Sequence, residues 1–382
     1  MARVLILGGG FGGLAAASEL RSTLPSGDEI VVVSASDRFF MGFAKLWDLA
    51  RLRPLDQGTR PLAALADRGI RFLHAEVGAI DPTSVSASTT SGDLTGDALV
   101  VALGTVPSPG HLDVLAAGGG YNLYDAGDLP TAHAALDGVT SGRVVVAILG
   151  GPFKCPPAPY EAALIVDDRL RRRGVRDDVA VDLVTPQPMT LPAAGPDASR
   201  VVAGYLADRG IGLLDRHVVS GVEGDRPTLG FRTGEQLDYS VLLAVPAEKV
   251  PPVVEASALV GASGFIEPDR TTLRTAHGGV YAVGDCTSVP TATGQLPKAG
   301  VFAAAQGRVA ARNIASDLYG GEGGELDGHG MCFLELPGRL VGMLEGDFFA
   351  EPAPDVRLTE ATEANFERKA AYEADRLSEW LG

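Results

Sequence analysis

The stretch RVLILGGGFGGLAAASEL, residues 3 to 20, sets an apolar run directly before spaced glycines and an alanine-rich segment. Arg3 to Leu7 reads as a buried β-strand, Gly8-x-Gly10-x-x-Gly13 as a tight turn, and the residues after it as a helix. Glycines at these positions permit the turn, a close approach of backbone to a pyrophosphate, and tight helix–strand contact. The helix N-terminus supplies N–H groups oriented toward an anion. The stretch therefore predicts a Rossmann-like βαβ unit. Its second strand is EIVVVSASD, residues 29 to 37. Where an acidic residue would receive the ribose hydroxyls of an adenosine, this chain has Ser34, with Ser36 and Asp37 close behind. A serine makes one such bond but gives up the bidentate, charge-assisted geometry.

A chain of 382 residues with 46% hydrophobic content is long enough for two or three domains with real cores. It contains no apolar run of membrane-spanning length, and Val4 to Leu7 breaks at once into glycines, so neither a transmembrane helix nor a signal peptide is read. The expected location is the cytoplasm, with at most a peripheral association with a membrane. A formal charge of −16 argues against nucleic acid or anionic lipid as the main partner and leaves a basic partner or a neutral ligand. Three cysteines, Cys155, Cys286 and Cys332, are too few and too scattered for a disulfide scaffold and point instead to redox chemistry. His329-x-x-Cys332 is half a zinc site with no second half, so no metal is expected.

A second βαβ unit opens with the strand RVVVAILGG, residues 143 to 151, followed by GGPFKCPPAPYE, residues 150 to 161. Counting from Gly150, the second and third glycines of a dinucleotide turn are replaced by Pro152 and Cys155. Side chains there fill the space a pyrophosphate would use, and proline also removes a donor. The fold is kept while the nicotinamide site is lost. A helix then starts near Pro159 and runs to the basic RRRG at residues 171 to 174, which suits a helix C-terminus. Cys155 thus lies near a helix N-terminus with Lys154 beside it, and both features are expected to favour thiolate. Glu161 is a candidate base, provided burial raises its pKa, and His329 is a second. Cys286, next to Asp285, reads as a packed neighbour.

ALVVALGT (98 to 105) and GGVYAVGDCTSVP (278 to 290) are two more strands ending in glycine turns, the second with Asp285 at its end. With the first turn they resemble the recurrent segments of flavoproteins with two dinucleotide-binding domains. The resemblance implies FAD, with Asp285 on the ribitol. The expected contacts are Gly8, Gly10, Gly12, Gly13, Ser34, Ser36, Val77, Ala102, Gly104, Gly284, Asp285, Lys298 and Ala299. GPFKCPPAPYE around Cys155, QLPKAGVFAAAQ at residues 295 to 306, and Cys332 in GHGMCFLELPG make the whole chain similar to the sulfide:quinone oxidoreductase and flavocytochrome c sulfide dehydrogenase group. That resemblance implies a Cys155–Cys332 disulfide opened by sulfide or a related sulfane-sulfur compound. A persulfide and a thiolate result, and electrons leave through FAD to a quinone or a c-type cytochrome. It assigns catalytic roles to Cys155, Cys332, Glu161 and Lys298, the last matching a lysine beside the flavin ring.

The chain departs from the quinone reductases in two places. It has no cysteine before Cys155, where they usually carry one, and it lacks their apolar amphipathic C-terminal helices. Its end, LTEATEANFERKAAYEADRLSEWLG (358 to 382), reads as a charged helix with a narrow apolar stripe, suited to a domain or homodimer contact. Phe348 and Phe349 look like the one exposed apolar spot. The expected fold is α/β, with two Rossmann-like domains and a C-terminal segment. The FAD domain is discontinuous (1 to 106 and 265 to 318), an NAD-like domain is inserted (107 to 264), and the C-terminal domain covers 319 to 382. A hairpin is read in GVEGDRPTLGFRTGEQLDYS, residues 221 to 240. Two alternatives stand beside this: an NAD(P)H-dependent flavin oxidoreductase of the type II NADH dehydrogenase kind, and a non-catalytic sulfur-binding flavoprotein.

Overall fold

The apolar runs VLIL, IVVV and ALVV are buried along their whole length, as strands covered on both faces must be. In the computed structural model, which describes residues 1–223 and 227–382, they lie side by side in a five-stranded parallel sheet. Its order is Val280–Ala282, Ala98–Val101, Arg3–Leu7, Glu29–Ser34, Arg71–His74. The sheet takes four strands from the first 101 residues and one of its two edge strands from far down the chain. A second all-parallel sheet has the order Tyr121–Asn122, Val241–Val245, Gly142–Ile148, Val179–Val184, Gly212–Leu214. The α/β class with two Rossmann-like sheets is as expected.

Each sheet is accompanied by a three-stranded antiparallel meander, Val77–Asp81 to Gly92–Thr95 in one case and Val219–Val222 to Gln236–Asp238 in the other. The hairpin expected at 221 to 240 belongs to the second meander, and its residues 224 to 226 lie outside the described residues.

Two helices bring the distant parts of the first unit together. Phe11–Thr23 packs against Gly300–Tyr319 so closely that a Cβ on Gly307 would lie 2.2 Å from the Gly12 carbonyl oxygen. Beyond residue 328 the chain forms an antiparallel sheet, His329–Leu336, Leu340–Asp347, Asp355–Leu358, and then the helix Glu363–Leu381. Phe366, Lys369, Glu373, Leu377 and Trp380 recur at helical spacing and are all buried. Trp380 meets Phe11 and Phe39 edge-on, with ring centroids 5.9 and 5.7 Å away, and Arg53 grips Glu373 with two bonds of 2.6 and 2.7 Å. The stripe of this helix is therefore covered within the chain, as a domain contact.

Phe348 and Phe349 correct the sequence reading. They are 4% and 9% exposed, and Phe348 packs edge-on against Phe302 of the 300–319 helix at 4.8 Å. No described helix is long and apolar enough to cross a membrane.

The helix contact gives a direct test. Gly307→Ala should lower stability by about 1–3 kcal/mol through overpacking, although alanine is the better helix former by about 1 kcal/mol. Gly204→Ala, on a helix face where an added Cβ meets nothing within 4 Å, should be neutral or stabilising in the same denaturant titration.

Candidate active site

The first turn is built on glycine for steric reasons. Gly8 has φ +117°, and a Cβ there would lie 2.1 Å from the Ala102 carbonyl oxygen. A Cβ on Gly13 would lie 1.9 Å from the Gly8 carbonyl oxygen, and one on Gly12 2.9 Å from Val283. Gly10 faces open space instead. Three glycines thus close the turn, and Gly10 leaves room in front of a helix whose first N–H groups have no intrahelical partner. Gly104 and Gly284 turn the chain beyond the 98–101 and 280–282 strands, and Ala299 precedes the 300–319 helix.

Gly10, Gly12, Gly104, Gly284 and Ala299 border a cavity of about 230 Å³. The Asp285 carboxylate is half-buried at its wall and receives no hydrogen bond from a described residue; burial raises its pKa, opposed by the charges of Lys154 and Lys298. A free acceptor beside two helix N-termini suits a polyol phosphate, so the residues present fit FAD.

The remaining expected contacts are more loosely placed. Ser34 lies next to the glycine turn and accepts a bond from the Ser36 N–H at 3.2 Å. The Ser36 hydroxyl is turned to its own loop, bonding the backbone of Arg38. Val77 opens the first meander and packs, half-buried, on the sheet core.

The altered turn runs from the Gly142–Ile148 strand to the Ala158–Arg172 helix. Its backbone groups are tied to neighbouring chain. Cys155 N–H donates to the Lys298 carbonyl at 2.7 Å, and Glu248 N–H to the Pro152 carbonyl at 2.7 Å. Cys155 itself has φ +50°, a region sparsely used by residues with a side chain. Lys154 is not aimed at the sulfur: its ammonium lies 3.2 Å from Glu248. Lys298 is likewise anchored, donating to the carbonyls of Asp285 at 2.7 Å and Thr287 at 2.9 Å and lying 3.7 Å from the Phe265 ring centre. Burial draws its pKa down to about 8, with Asp285 pulling the other way.

Cys155 and Cys332 line the same cavity, and both thiols are free. Burial pushes the Cys155 thiol well above its ordinary value, reinforced by Cys332 and Glu161. Burial and Glu161 push Cys332 up to about 12. Thiolate stabilisation by the helix end and Lys154 is thus corrected, because desolvation outweighs both. His329 is also corrected as a base: it is exposed and its ring lies 3.9 Å from Asp347. An offset of three along a strand puts it on the face opposite Cys332. Cys286 is packed as expected, its Sγ directed at the Val101 and Val283 carbonyls.

Two charged residues beside the thiols escaped the sequence reading. Lys369 is fully buried, 2.7 Å from Glu335 and 3.5 Å from Glu161. Glu161 also accepts the Glu335 N–H at 2.7 Å. Burial raises the Glu161 pKa, as expected of a base, with Lys369 opposing and Glu335 adding. For Lys369, burial works downward but the two carboxylates prevail, and its pKa is raised. The signal was present: Lys369 stands in the apolar phase of its helix. Lys45 gave no such signal. Its ammonium donates to the Tyr124 carbonyl at 2.6 Å, and its pKa is lowered to about 8 by burial and by Lys154.

A second, wider cavity of about 560 Å³ has apolar walls that include Phe153, Pro157, Leu191, Phe302, Leu344 and Phe348. It shares Lys298, Ala299 and Cys332 with the first. Cys332 therefore stands between an open apolar chamber and the cofactor cavity.

Comparison with known proteins agrees with the fold. A family model described as pyridine nucleotide-disulphide oxidoreductase matches residues 2–307. The chain is 23% identical over 365 residues to the mitochondrial sulfide:quinone oxidoreductase of Mus musculus, covering 91% of this chain and 79% of that protein. It is 26% identical over 341 residues to the sulfide-quinone reductase of Aquifex aeolicus, covering 82% and 76%. The solved structure of the sulfide:quinone oxidoreductase from Aquifex aeolicus superposes with a TM-score of 0.86 at 22% identity, covering 98% of this chain and 90% of that one.

The raised thiol pKa values set an expected outcome. In the reduced protein, iodoacetamide should modify Cys155 and Cys332 at least about 10-fold more slowly than free cysteine at pH 8, rising only at higher pH as the thiolates form. Peptide mass spectrometry of timed samples reads this directly, and fast labelling at pH 7 would show that burial does not control these thiols.

Proposed function

The chain belongs to the pyridine nucleotide-disulphide oxidoreductase family and is a flavin-dependent oxidoreductase, and from that premise we propose that it oxidises sulfide, or a related sulfane-sulfur compound, at Cys155 and Cys332 and delivers the electrons to a quinone. The observation that carries this is the convergence of two cysteines from separate parts of the chain on the cavity bordered by the FAD-cradling residues. FAD, held by Gly8–Gly13, Asp285 and the turns at Gly104 and Gly284, supplies two-electron redox chemistry when bound.

The chain's own residues do the rest. The wide apolar chamber brings the sulfur nucleophile to Cys332. Hydrosulfide attacks one sulfur of a Cys155–Cys332 disulfide; the old S–S bond breaks, a new one forms, and a persulfide and a thiolate remain. Glu161, kept protonatable by burial, holds or releases the proton at its carboxylate. Lys298 acts by position: its carbonyl fixes Cys155 and its side chain braces the turn that carries Asp285. Residues 107 to 264 keep a dinucleotide fold without binding nicotinamide, a view supported by the side chains of Pro152 and Cys155 and by the Cys155 N–H, which is already bonded to the Lys298 carbonyl. A quinone is favoured as acceptor by the likeness to sulfide:quinone oxidoreductases. A net charge of −16 would also suit a basic c-type cytochrome. The enzyme would work in the cytoplasm, meeting a quinone at a membrane surface.

Anaerobic spectroscopy decides the matter. Sulfide should bleach the flavin and NADH should not, and Cys155→Ser or Cys332→Ser should slow bleaching by about 100-fold or more. Bleaching by NADH, or wild-type rates in either serine variant, would overturn the proposal. Reoxidation by a short-chain ubiquinone but not by cytochrome c is the expected choice of acceptor.

A further inference from the structure

Sulfide chemistry at a disulfide leaves a proton to be moved. Attack by hydrosulfide converts R–S–S–R′ and HS⁻ into R–S–SH and R′–S⁻, and the persulfide, a stronger acid than a thiol, then gives up its proton. The apolar chamber has no carboxylate or histidine in its described wall. A buried ionic group on another side of the cysteines does offer carboxylates.

We propose that Glu161, Lys369 and Glu335 form a proton relay from the cysteine pair to a separate surface cleft, so that protons leave by one route while sulfur species enter and leave by another. This rests on the sulfide-oxidising function proposed above. Glu161 lies in the first turn of the helix that follows Cys155. Its Oε1 is 3.5 Å from Lys369 Nζ, which is 2.7 Å from Glu335 Oε2. Glu335 is also among the residues bordering a cleft of about 270 Å³, together with Asp168, Arg172 and Arg339.

Lys369 lies near the rings of Phe43, Trp47 and Phe333, with centroids at 4.9, 5.6 and 6.0 Å, which favour a cation and exclude water. Trp47 Nε1 donates to Glu335 at 2.6 Å and fixes its carboxylate. The other titratable groups around the relay are the two thiols, Tyr124, Tyr372 and Lys45.

The transfer balances without a further reactant. The persulfide's proton passes to the Glu161 carboxylate. Lys369 then gives one N–H proton to Glu335 and regains one from Glu161, and Glu335 releases its proton to the cleft.

The test uses flavin-loaded protein. In anaerobic single turnovers with limiting sulfide, the rate and extent of flavin bleaching are followed, because the proton that the persulfide loses is matched by one taken up on flavin reduction and no net proton appears in the medium. Glu335→Gln keeps an oxygen for Trp47 and should slow bleaching at least about 10-fold while its extent is unchanged. A second readout needs no sulfide: the pH profile of thiol alkylation in the dithiol protein. Lys369→Met removes the cation that opposes the raised thiol values and should move the profile up by about one pH unit; Glu161→Gln removes an anion and should move it down by about one unit. Should Lys369→Met not fold, Glu161→Gln carries this arm. Bleaching at the wild-type rate in Glu335→Gln, or alkylation profiles that do not move, would overturn the relay. Failure of sulfide to bleach the wild-type flavin would count against the proposed function alone, because the alkylation profiles are read without it.

Discussion

The hydrogen bond from the Cys155 N–H to the Lys298 carbonyl, 2.7 Å long, joins the inserted unit to the discontinuous one at the point where both meet the cofactor cavity. It uses a backbone donor of the altered turn, at a residue held in a left-handed conformation that its side chain disfavours. With it, the residue that replaced a glycine becomes part of the cavity wall.

Burial governs the chemistry around that contact. A helix end or an adjacent lysine contributes about 0.3–1 kcal/mol to a nearby anion, whereas an uncompensated buried charge costs several. The latter wins at both cysteines, and the thiols are weak acids despite the helix that starts at Ala158. The charges that do act on them are supplied by Glu161 and Lys369 from within the core. An ion pair of this kind stabilises a fold little, because desolvation offsets its attraction. Its placement beside the cavity is therefore better explained by proton chemistry than by stability.

Much of the fold was legible because parallel strands buried on both faces leave continuous apolar runs, and because the Gly8–Gly13 turn admits no side chain at three of its positions. The replacement of glycines by Pro152 and Cys155 was equally plain. What could not be read came from segments distant in sequence. Nothing local announces that Glu161, Glu335 and Lys369 meet, although the helical spacing of Phe366, Lys369, Glu373 and Leu377 marks a lysine in a core-facing phase. Phe348 and Phe349 were misread for the same reason: Phe302, on which Phe348 packs, and Arg270, 4.6 Å from the Phe349 ring centre, lie well upstream in the chain. The serines were only partly legible, since Ser36 satisfies its own loop.

The 363–381 helix touches the dinucleotide turn through Trp380 and the ionic group through Lys369. Translation proceeds from the N-terminus, so on the ribosome the cradle and both Rossmann-like sheets emerge before the residues that finish the surroundings of the sulfur atoms.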